Sequence, residues 1–325
     1  MENGQRKSPV SEFLAEHETG LGIESLQYRL QRYGAGKARA LDMADYITDF
    51  VVGNRVGKPA AGTREAKRIA ASMENCGSYL LFRNYFRKDE VRLHAATFCK
   101  KHLLCPFCAM RRGAKYLQCY MERLQCVLAE NPRLRAFMVT LTVKDGDDLA
   151  ERFNHLRGCL KRYQRQRRDG ASGKRPLVEY NKALGGVFSI EVKRGQGSGL
   201  WHPHVHMIWL CEDVPDKFRL SQEWHNITGD SYIVDVREFY GETIVEGFLE
   251  VFKYALKFSD MALPDNWQAF ETLKGKRLVD NFGLFRGVVV PEDLTDGELE
   301  DEPYLMMLYK FFRGSGYSFT DQWKE

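Results

Sequence analysis

The amino-acid sequence predicts an α+β fold in which helices back an antiparallel sheet. One observation is the repeated change of apolar period, from alternation typical of strands to the spacing typical of helices. A second is the pair of β-rich runs within 185–211, which a glycine-rich turn joins into a hairpin. Together these give the order β-α-β-β-α-β-α, which is typical of an antiparallel sheet with helices packed on it. The elements are a strand at 136–143, a helix at about 149–168, the hairpin, a helix near 216–226, a strand at 231–237 and a helix at 246–258.

Four segments follow from this pattern. Residues 1–75 form an N-terminal helical segment that is partly flexible, because the first twenty residues lack a sustained apolar pattern. Residues 76–130 contain a cysteine-rich module and one long helix, which begins at Ala109 and ends before Asn131-Pro132. Residues 131–262 carry the predicted sheet. Residues 263–325 form a helical tail, in which we expect Tyr304–Phe312 to be a helix packed on the core.

Composition limits the compartment. The chain has 325 residues, of which 44% are hydrophobic, so it can bury one large core or two smaller ones. No apolar run reaches the length of a membrane span, and the first residues lack a hydrophobic signal core. We therefore expect a cytoplasmic protein that does not contact membranes. Thiols stay reduced there, so the eight cysteines should bind metal or be buried.

Four of the cysteines have the spacing of a zinc site. Two belong to a Cys-x-x-Cys pair with a turn-forming proline inside it, and two precede that pair. The alternatives are His94 or His102 as ligands, or isolated core cysteines without metal. The predicted ligands of a structural Zn²⁺ are Cys76, Cys99, Cys105 and Cys108. The other four cysteines lie in helical or strand patterns, so we expect them to be packing residues.

A second candidate metal site lies in the hairpin. Within Trp201–Leu210, His204 and His206 point to the same face of a strand, because strand side chains alternate. If the turn is symmetric about residues 197 and 198, Glu191 lies opposite His204 and completes a three-ligand site. Two histidines and one carboxylate suit Mn²⁺ or Mg²⁺. The alternative is a pair of ordinary polar residues on a half-buried strand, and His202 is a positioning or surface residue.

A helical segment downstream carries a candidate nucleophile. Tyr254 and Lys257 are spaced i,i+3, and Glu250 stands one turn before the tyrosine. A metal ion, a tyrosine and a carboxylate together indicate covalent phosphodiester chemistry, with Lys257 favouring the phenolate. The alternatives are an aromatic side chain packed on a helix face and a glutamate that only pairs with the nearby lysines.

These residues carry a resemblance to a known family. The segments Phe137–Asp145, His202–His206 and Glu250–Lys257 resemble, in order and spacing, the three motifs of rolling-circle replication initiators of small bacterial plasmids, which belong to the HUH endonuclease superfamily. The spacing of the glutamate, four residues before the tyrosine, resembles that of the subgroup that uses one tyrosine plus one glutamate. The resemblance covers roughly residues 70–260, since this plasmid group also has a cysteine-rich segment before the nuclease.

The resemblance implies an HUH endonuclease fold over 131–262 and a metal-dependent, site-specific nickase and strand transferase. It implies that Tyr254 attacks the origin DNA, forming a 5′-phosphotyrosine bond and a free 3′-OH for the host polymerase. Glu250 would activate water for the terminating cleavage. The implied partners are plasmid origin DNA, a host helicase and a DNA polymerase, and the resemblance favours the four cysteines as the zinc ligands.

Charge distribution adds a candidate DNA-contacting arm. The net charge is only +4, but residues 161–175 carry seven basic side chains against one acidic side chain. Beside a nuclease motif such a run is a plausible phosphate-binding segment. The candidate DNA-binding residues are Lys161, Arg162, Arg165, Arg167, Arg168, Lys174 and Arg175. The acidic stretch 292–302 is expected to be an exposed loop that keeps DNA off its side.

Two rival functions remain open at this point. The first keeps HUH chemistry but assigns it to a transposase or a mobilisation relaxase. The second is a non-enzymatic, zinc-stabilised DNA-binding protein, which would bind duplex DNA without nicking it.

Overall fold

The computed structural model describes residues 22–53, 61–240, 243–253 and 257–324, and the chain divides into two compact units. Unit 1 comprises Met1–Lys115, Ala262–Trp267 and Pro291–Glu325, and unit 2 comprises Tyr116–Met261 and Gln268–Val290. The expected flexibility of residues 1–20 lies outside the described residues. None of the helices in the described ranges is long and apolar enough to cross a membrane.

Helices and strands alternate irregularly along the chain. A π-helical turn, Ile47–Val52, extends the first helix, and short 3₁₀ turns occur at Glu179–Lys182 and Phe258–Asp260. The helices are α1 (Ile23–Tyr46), α2 (Ala61–Asn75), α3 (Pro106–Glu130), α4 (Leu149–Ala171), α5 (Lys217–Thr228), α6 (Thr243–Phe252) and α7 (Leu263–Leu273). The strands are β1 (Tyr79–Tyr85), β2 (Glu90–Ala96), β3 (Arg135–Thr142), β4 (Ala183–Arg194), β5 (Trp201–Cys211), β6 (Val234–Phe239), β7 (Val279–Gly283), β8 (Leu305–Phe312) and β9 (Gly316–Lys324).

Unit 1 contains a four-stranded antiparallel sheet in the order β2-β1-β8-β9. The expected helix over Tyr304–Phe312 is wrong, because this segment forms β8 and pairs with β1 from Tyr79↔Lys310 to Asn84↔Leu305. A short apolar run does not by itself distinguish a helix from a strand, and here two partner strands supply the hydrogen bonds. Among the described residues 263–324 of the predicted helical tail, α-helix therefore occurs only in α7.

The acidic stretch at 292–302 is held partly inside unit 1. The Asp296 side chain is only 14% exposed, and it accepts hydrogen bonds from Arg29 at 2.7 Å and from Arg111 at 2.6 Å. Burial raises the pKa of the Asp296 carboxyl, but the two guanidinium groups outweigh it and hold the pKa well below its ordinary value. Much of the stretch is exposed, as expected, but Asp296 is mostly covered because its carboxylate neutralises two buried cations.

Unit 2 contains a five-stranded antiparallel sheet in the order β6-β3-β5-β4-β7. The element order β3-α4-β4-β5-α5-β6-α6 confirms the predicted one, and β7 is an additional edge strand that the sequence did not indicate. Side chains fix the helix ends: Asp148 caps α4 by accepting from the Glu151 N–H, and Asp216 caps α5. Gly229, at φ +73°, ends α5 in the left-handed conformation.

One face of this sheet packs on α3 and α6. Met138, Val187 and Ile208 from the strands share a buried cluster with Tyr120 of α3 and Phe248 of α6. Because strand side chains alternate, His206 and His204 extend the row that Ile208 begins. The two histidines therefore lie at the end of an apolar core, on the face that α6 covers.

Candidate metal centres

The strand register brings the three predicted ligands of unit 2 together. Glu191 on β4 pairs with His204 on β5, as the symmetric turn predicted, and Ser189 pairs with His206. Glu191 and His204 are buried, and His206 is partly exposed. The ligand atoms of Glu191, His204 and His206 all lie within 4.8 Å of one another.

The atoms converge closely enough to contact one ion. The Glu191 Oε2 lies 3.5 Å from the His204 Nε2 and 3.3 Å from the His206 Nε2. The two imidazole nitrogens are 3.1 Å apart. Two imidazoles and one carboxylate form a donor set that suits Mn²⁺, Mg²⁺ or a similar divalent ion, with positions left for substrate oxygens.

Residues on β3 and at the turn orient the histidines. The Thr140 hydroxyl lies 3.0 Å from the His206 Nδ1, which leaves Nε2 facing the Glu191 carboxylate. Such contacts to the second nitrogen fix the ring orientation of a metal-binding histidine. His202 is not part of the converging group; its Nδ1 contacts Asp145, which also accepts from Ser198 at 2.5 Å. Sequence analysis missed Thr140, although its alternation with Thr142 on a strand was a usable signal.

A second group of charged side chains borders the ligands. The Lys257 Nζ donates to the Glu191 Oε2 at 2.6 Å and to the Glu250 Oε1 at 2.7 Å. Lys253 contacts the other Glu250 oxygen at 2.5 Å, and the His206 Nε2 lies 4.0 Å from Glu250. The predicted catalytic residues Glu250 and Lys257 are thus beside the predicted metal ligands. Tyr254 lies outside the described residues.

The lysines control the ionisation of both carboxylates. Burial raises the pKa of Glu191, but Lys257 and His204 outweigh it and hold that pKa well below its ordinary value. Burial likewise opposes the two lysines at Glu250, whose pKa falls to about 2. Burial lowers the pKa of Lys257, but both carboxylates together raise it. Burial also lowers the pKa of His204. The site therefore holds two carboxylates, an ammonium group and a neutral imidazole at neutral pH.

The four predicted cysteines of unit 1 form a closed cluster. The Cys76 Sγ lies 3.7 Å from the Cys105 Sγ and 3.5 Å from the Cys108 Sγ, and the sulfurs of Cys99 and Cys108 are 3.7 Å apart. Hydrogen bonds from Cys105 and Cys108 lower the pKa of Cys99, whereas the contact with Cys108 raises the pKa of Cys105. Four mutually close sulfurs are the donor set of a tetrahedral Zn²⁺ site.

The backbone around the cluster holds the four sulfurs at one point. Gly77, at φ +63°, turns the chain directly after Cys76, and its N–H donates to the Thr97 carbonyl at 2.8 Å. Buried Lys37 donates to the carbonyls of Met73 and Glu74, at 3.2 and 2.5 Å, where α2 ends. Sequence analysis missed this lysine. Neither alternative histidine belongs to the cluster, and His94 instead lies 3.3 Å from Glu298.

The basic run 161–175 covers the end of α4 and the following turn. Two of its arginines are engaged within unit 2: Arg162 donates to the Ile227 carbonyl at 2.8 Å, and Arg167 donates to the Ala183 carbonyl at 2.6 Å. Arg167 also lies over the Phe282 ring, 4.6 Å from its centroid. These two guanidinium groups support the fold. The remaining candidates are exposed, namely Lys161, Arg165, Arg168, Lys174 and Arg175.

Comparison with known proteins gives a consistent picture. A family model described as "Replication protein" matches residues 90–306, which is more than half of the chain. The chain is 27% identical over 263 residues to "Protein rep" of Streptococcus pneumoniae serotype 2 (strain D39), covering 75% of this chain and 77% of that protein. It is 23% identical over 273 residues to "Protein rep" of Lactiplantibacillus plantarum, covering 74% and 81%. No solved structure matches the chain significantly.

Proposed function

Because this chain belongs to the replication protein family, we propose that it is a rolling-circle replication initiator that nicks one strand of plasmid origin DNA. The observation that carries the proposal is the convergence of Glu191, His204 and His206 beside the paired Glu250 and Lys257. Lys253 and Lys257, which flank Tyr254 in the chain, both contact Glu250. This arrangement supports an HUH-type nuclease with one tyrosine and one glutamate.

In the proposed reaction the Tyr254 oxygen attacks a phosphorus of the origin strand. The bond from phosphorus to the 3′ oxygen breaks, which leaves a 5′-phosphotyrosine link and a free 3′-OH end that a host polymerase extends. A divalent ion held by Glu191, His204 and His206 would supply Lewis acidity at a non-bridging oxygen. The Lys257 ammonium adds positive charge where the phenolate and the phosphorane-like transition state carry negative charge.

Termination needs a base that accepts a proton from water. With its pKa at about 2, Glu250 is ionised at neutral pH and is able to take a proton from water. The water oxygen then bonds to phosphorus at a later phosphodiester, and the 3′ oxygen leaves and is protonated. The contacts of Glu250 with Lys253 and Lys257 limit its strength as a base, so it should act only on a water that the site polarises.

The remaining parts have supporting roles in this proposal. The four cysteines hold a structural Zn²⁺ that stabilises unit 1. The exposed cations Lys161, Arg165, Arg168, Lys174 and Arg175 bind origin phosphates, so affinity should fall steeply with salt. A host helicase would separate the strands. The two alternatives are an HUH transposase or mobilisation relaxase, and a zinc-stabilised DNA-binding protein without nuclease activity.

The test is incubation with supercoiled plasmid that carries the candidate origin, with and without Mn²⁺ or Mg²⁺, followed by a denaturing gel. We expect metal-dependent nicking and a covalent protein–DNA adduct, and Tyr254→Phe should lose both while it still binds DNA. Nicking of transposon ends or transfer origins in preference to the replication origin would favour the first alternative. Duplex binding without nicking under either metal would favour the second.

A further inference from the structure

Three large apolar side chains are exposed at the edge of the unit 2 sheet. Phe218 is 72% exposed, Tyr232 is 70% exposed and Ile233 is 59% exposed. Single exposed apolar residues are common on protein surfaces, but neighbouring ones mark binding sites. We call these three residues the edge patch.

Two contacts join α5 to the segment around the start of β6, and these two elements carry the edge patch. The Ser221 hydroxyl donates to the Tyr232 carbonyl at 2.5 Å. Phe218 lies one helical turn before Ser221 and so shares its side of α5. The Lys217 Nζ donates to Asp235 on β6 at 3.2 Å, which fixes the start of the helix against the edge strand.

The backbone beneath the patch is fixed before any ligand binds. The Thr228 hydroxyl donates to the Ser231 carbonyl at 2.9 Å and accepts from the Ser231 N–H at 3.1 Å. The Ile233 N–H donates to the Ser231 hydroxyl at 3.3 Å. A surface that is already ordered binds a ligand at a lower entropic cost than a mobile loop does.

One residue of the edge patch, Ile233, lies close to the sheet row that contains His204. Thr142 pairs with His204, and its hydroxyl lies 3.2 Å from the Ser231 hydroxyl and 3.4 Å from the Ile233 carbonyl oxygen. Ile233 is therefore two strands from His204 along one row of the sheet. Since neighbouring strands are about 4.8 Å apart, the backbones of these two residues are roughly 10 Å apart.

The charges around the patch are compatible with a nucleic-acid strand. Asp230 is paired with Arg152 at 2.9 Å, and Asp235 is paired with Lys217. The positive charge of each partner offsets the repulsion that these carboxylates would exert on a phosphate. Lys144 follows β3, has an exposed side chain and donates its backbone N–H to Asp230 at 3.5 Å. Its ammonium group is thus available to a phosphate beside the patch.

We propose that the edge patch binds unpaired bases of the single-stranded DNA that enters the Glu191–His204–His206 site. This inference rests on the proposed function and adds the surface that holds the strand next to the cleaved bond. Aromatic rings bind single strands because every base has a face on which they can stack. Paired bases are buried in the duplex stack, so the patch would distinguish a melted origin from closed duplex.

The test measures binding in EDTA, where no cleavage occurs. The probes are a fluorescein-labelled oligothymidylate, the same length of dT·dA duplex, and an abasic phosphodiester chain of that length. The variants are Tyr232→Ala and Ile233→Ser, and the matched control is Tyr240→Ala. Tyr240 is 69% exposed and directly follows β6, so it lies at the opposite end of this strand from Tyr232.

We expect Tyr232→Ala to bind oligothymidylate at least about tenfold more weakly than the wild type does, which corresponds to about 1.4 kcal/mol. Ile233→Ser should have a smaller effect, and the Tyr240 control should have none. Binding of the abasic chain should not change in any variant, since it offers phosphates but no bases. Equal melting temperatures would show that the folds are intact.

Equal oligothymidylate affinity for Tyr232→Ala and Tyr240→Ala would overturn the proposal, and the patch would then be a candidate protein-docking surface. Equal losses on the abasic chain, or no binding of oligothymidylate by the wild type, would also overturn it. Nicking of supercoiled plasmid distinguishes this inference from the proposed function. A wild type that binds through Tyr232 but never nicks defeats only the proposed function.

Discussion

In unit 1 the four cysteine sulfurs lie against one another, whereas in unit 2 Glu191, His204 and His206 lie against the charged side chains of Glu250 and Lys257. Both groups converge tightly enough to hold one ion. The cysteines supply all four donors of a tetrahedral ion, while the unit 2 group supplies three donors and leaves room for substrate oxygens. From this difference we propose a structural centre in unit 1 and a reactive centre in unit 2.

The largest effect should be the loss of stability that follows a change in the cysteine cluster of unit 1. Cys108→Ser removes one of four donors, and structural zinc contributes on the order of 10 kcal/mol to the folding of small domains. We expect the variant to lose its metal and to melt at a much lower temperature, as measured by elemental analysis and thermal denaturation. Cys126→Ser is the matched control, because Cys126 is an exposed cysteine on the same helix, α3. An elemental analysis that finds no zinc in the purified wild-type protein would contradict the comparison.

The group of Glu191, His204 and His206 in unit 2 should respond in the opposite way, with a loss of activity and little change in stability. His206→Ala should abolish metal-dependent nicking, with a loss of at least about 100-fold, because even residues that only orient a ligand cost 10–100-fold. The melting temperature should change little, since the side chain is partly exposed at the end of a strand row. The checks are nicking of supercoiled plasmid and calorimetric titration with Mn²⁺. His225→Ala, an exposed histidine on α5, is the control. Unchanged Mn²⁺ affinity would defeat the ligand assignment.

A subtler change should separate the two steps of the reaction. Glu250→Gln keeps the shape of the side chain but cannot accept a proton, so the first nick and the adduct should survive while termination fails. The expected products are over-extended or multimeric single strands on a denaturing gel. The alternative is that Glu250 only pairs with Lys253 and Lys257, in which case product length would not change. Loss of the first nick would also refute this division of roles.

The smallest effect should be on the pH dependence of stability. Because the lysines hold the pKa of Glu250 at about 2, their ion pairs stabilise the folded protein above pH about 4.3 and cease to do so as the pH falls towards 2. Lys257→Met lets the pKa of Glu250 rise, so we expect a loss of about 1–2 kcal/mol in the free energy of unfolding at neutral pH. The gap from wild type should shrink as the pH falls through that window.

Denaturant unfolding at several pH values checks this prediction. Lys253→Met is the control, because Lys253 contacts Glu250 at 2.5 Å whereas Lys257 bridges Glu250 and Glu191. The control should lose less stability than Lys257→Met. A gap that widens on acidification would show that the lysines do not lower the pKa of these carboxylates.

The site was more predictable from the sequence than the fold around it. The pairing of Glu191 with His204 followed from the symmetry of one local hairpin, and the cysteine cluster followed from donor spacing. Strand β8 was not predictable, because Tyr304–Phe312 has an apolar run that suits either period and its partner β1 is more than 200 residues away. The alternation of Thr140 with Thr142 indicates which face of the strand Thr140 occupies, but not its contact with His206. The contact of Arg167 with the Ala183 carbonyl depends on tertiary packing that no local pattern encodes.

The pairing of β1 with β8 sets the order in which the protein can be completed during synthesis. Residues 79–85 leave the ribosome long before residues 305–312. The backbone groups of β1 that pair with β8 therefore have no partner strand until β8 has been synthesised. Unit 2 uses nothing after Val290 and is free to fold first. A chain whose synthesis stops between residues 290 and 305 would therefore contain all of unit 2 but would lack strand β8 of unit 1.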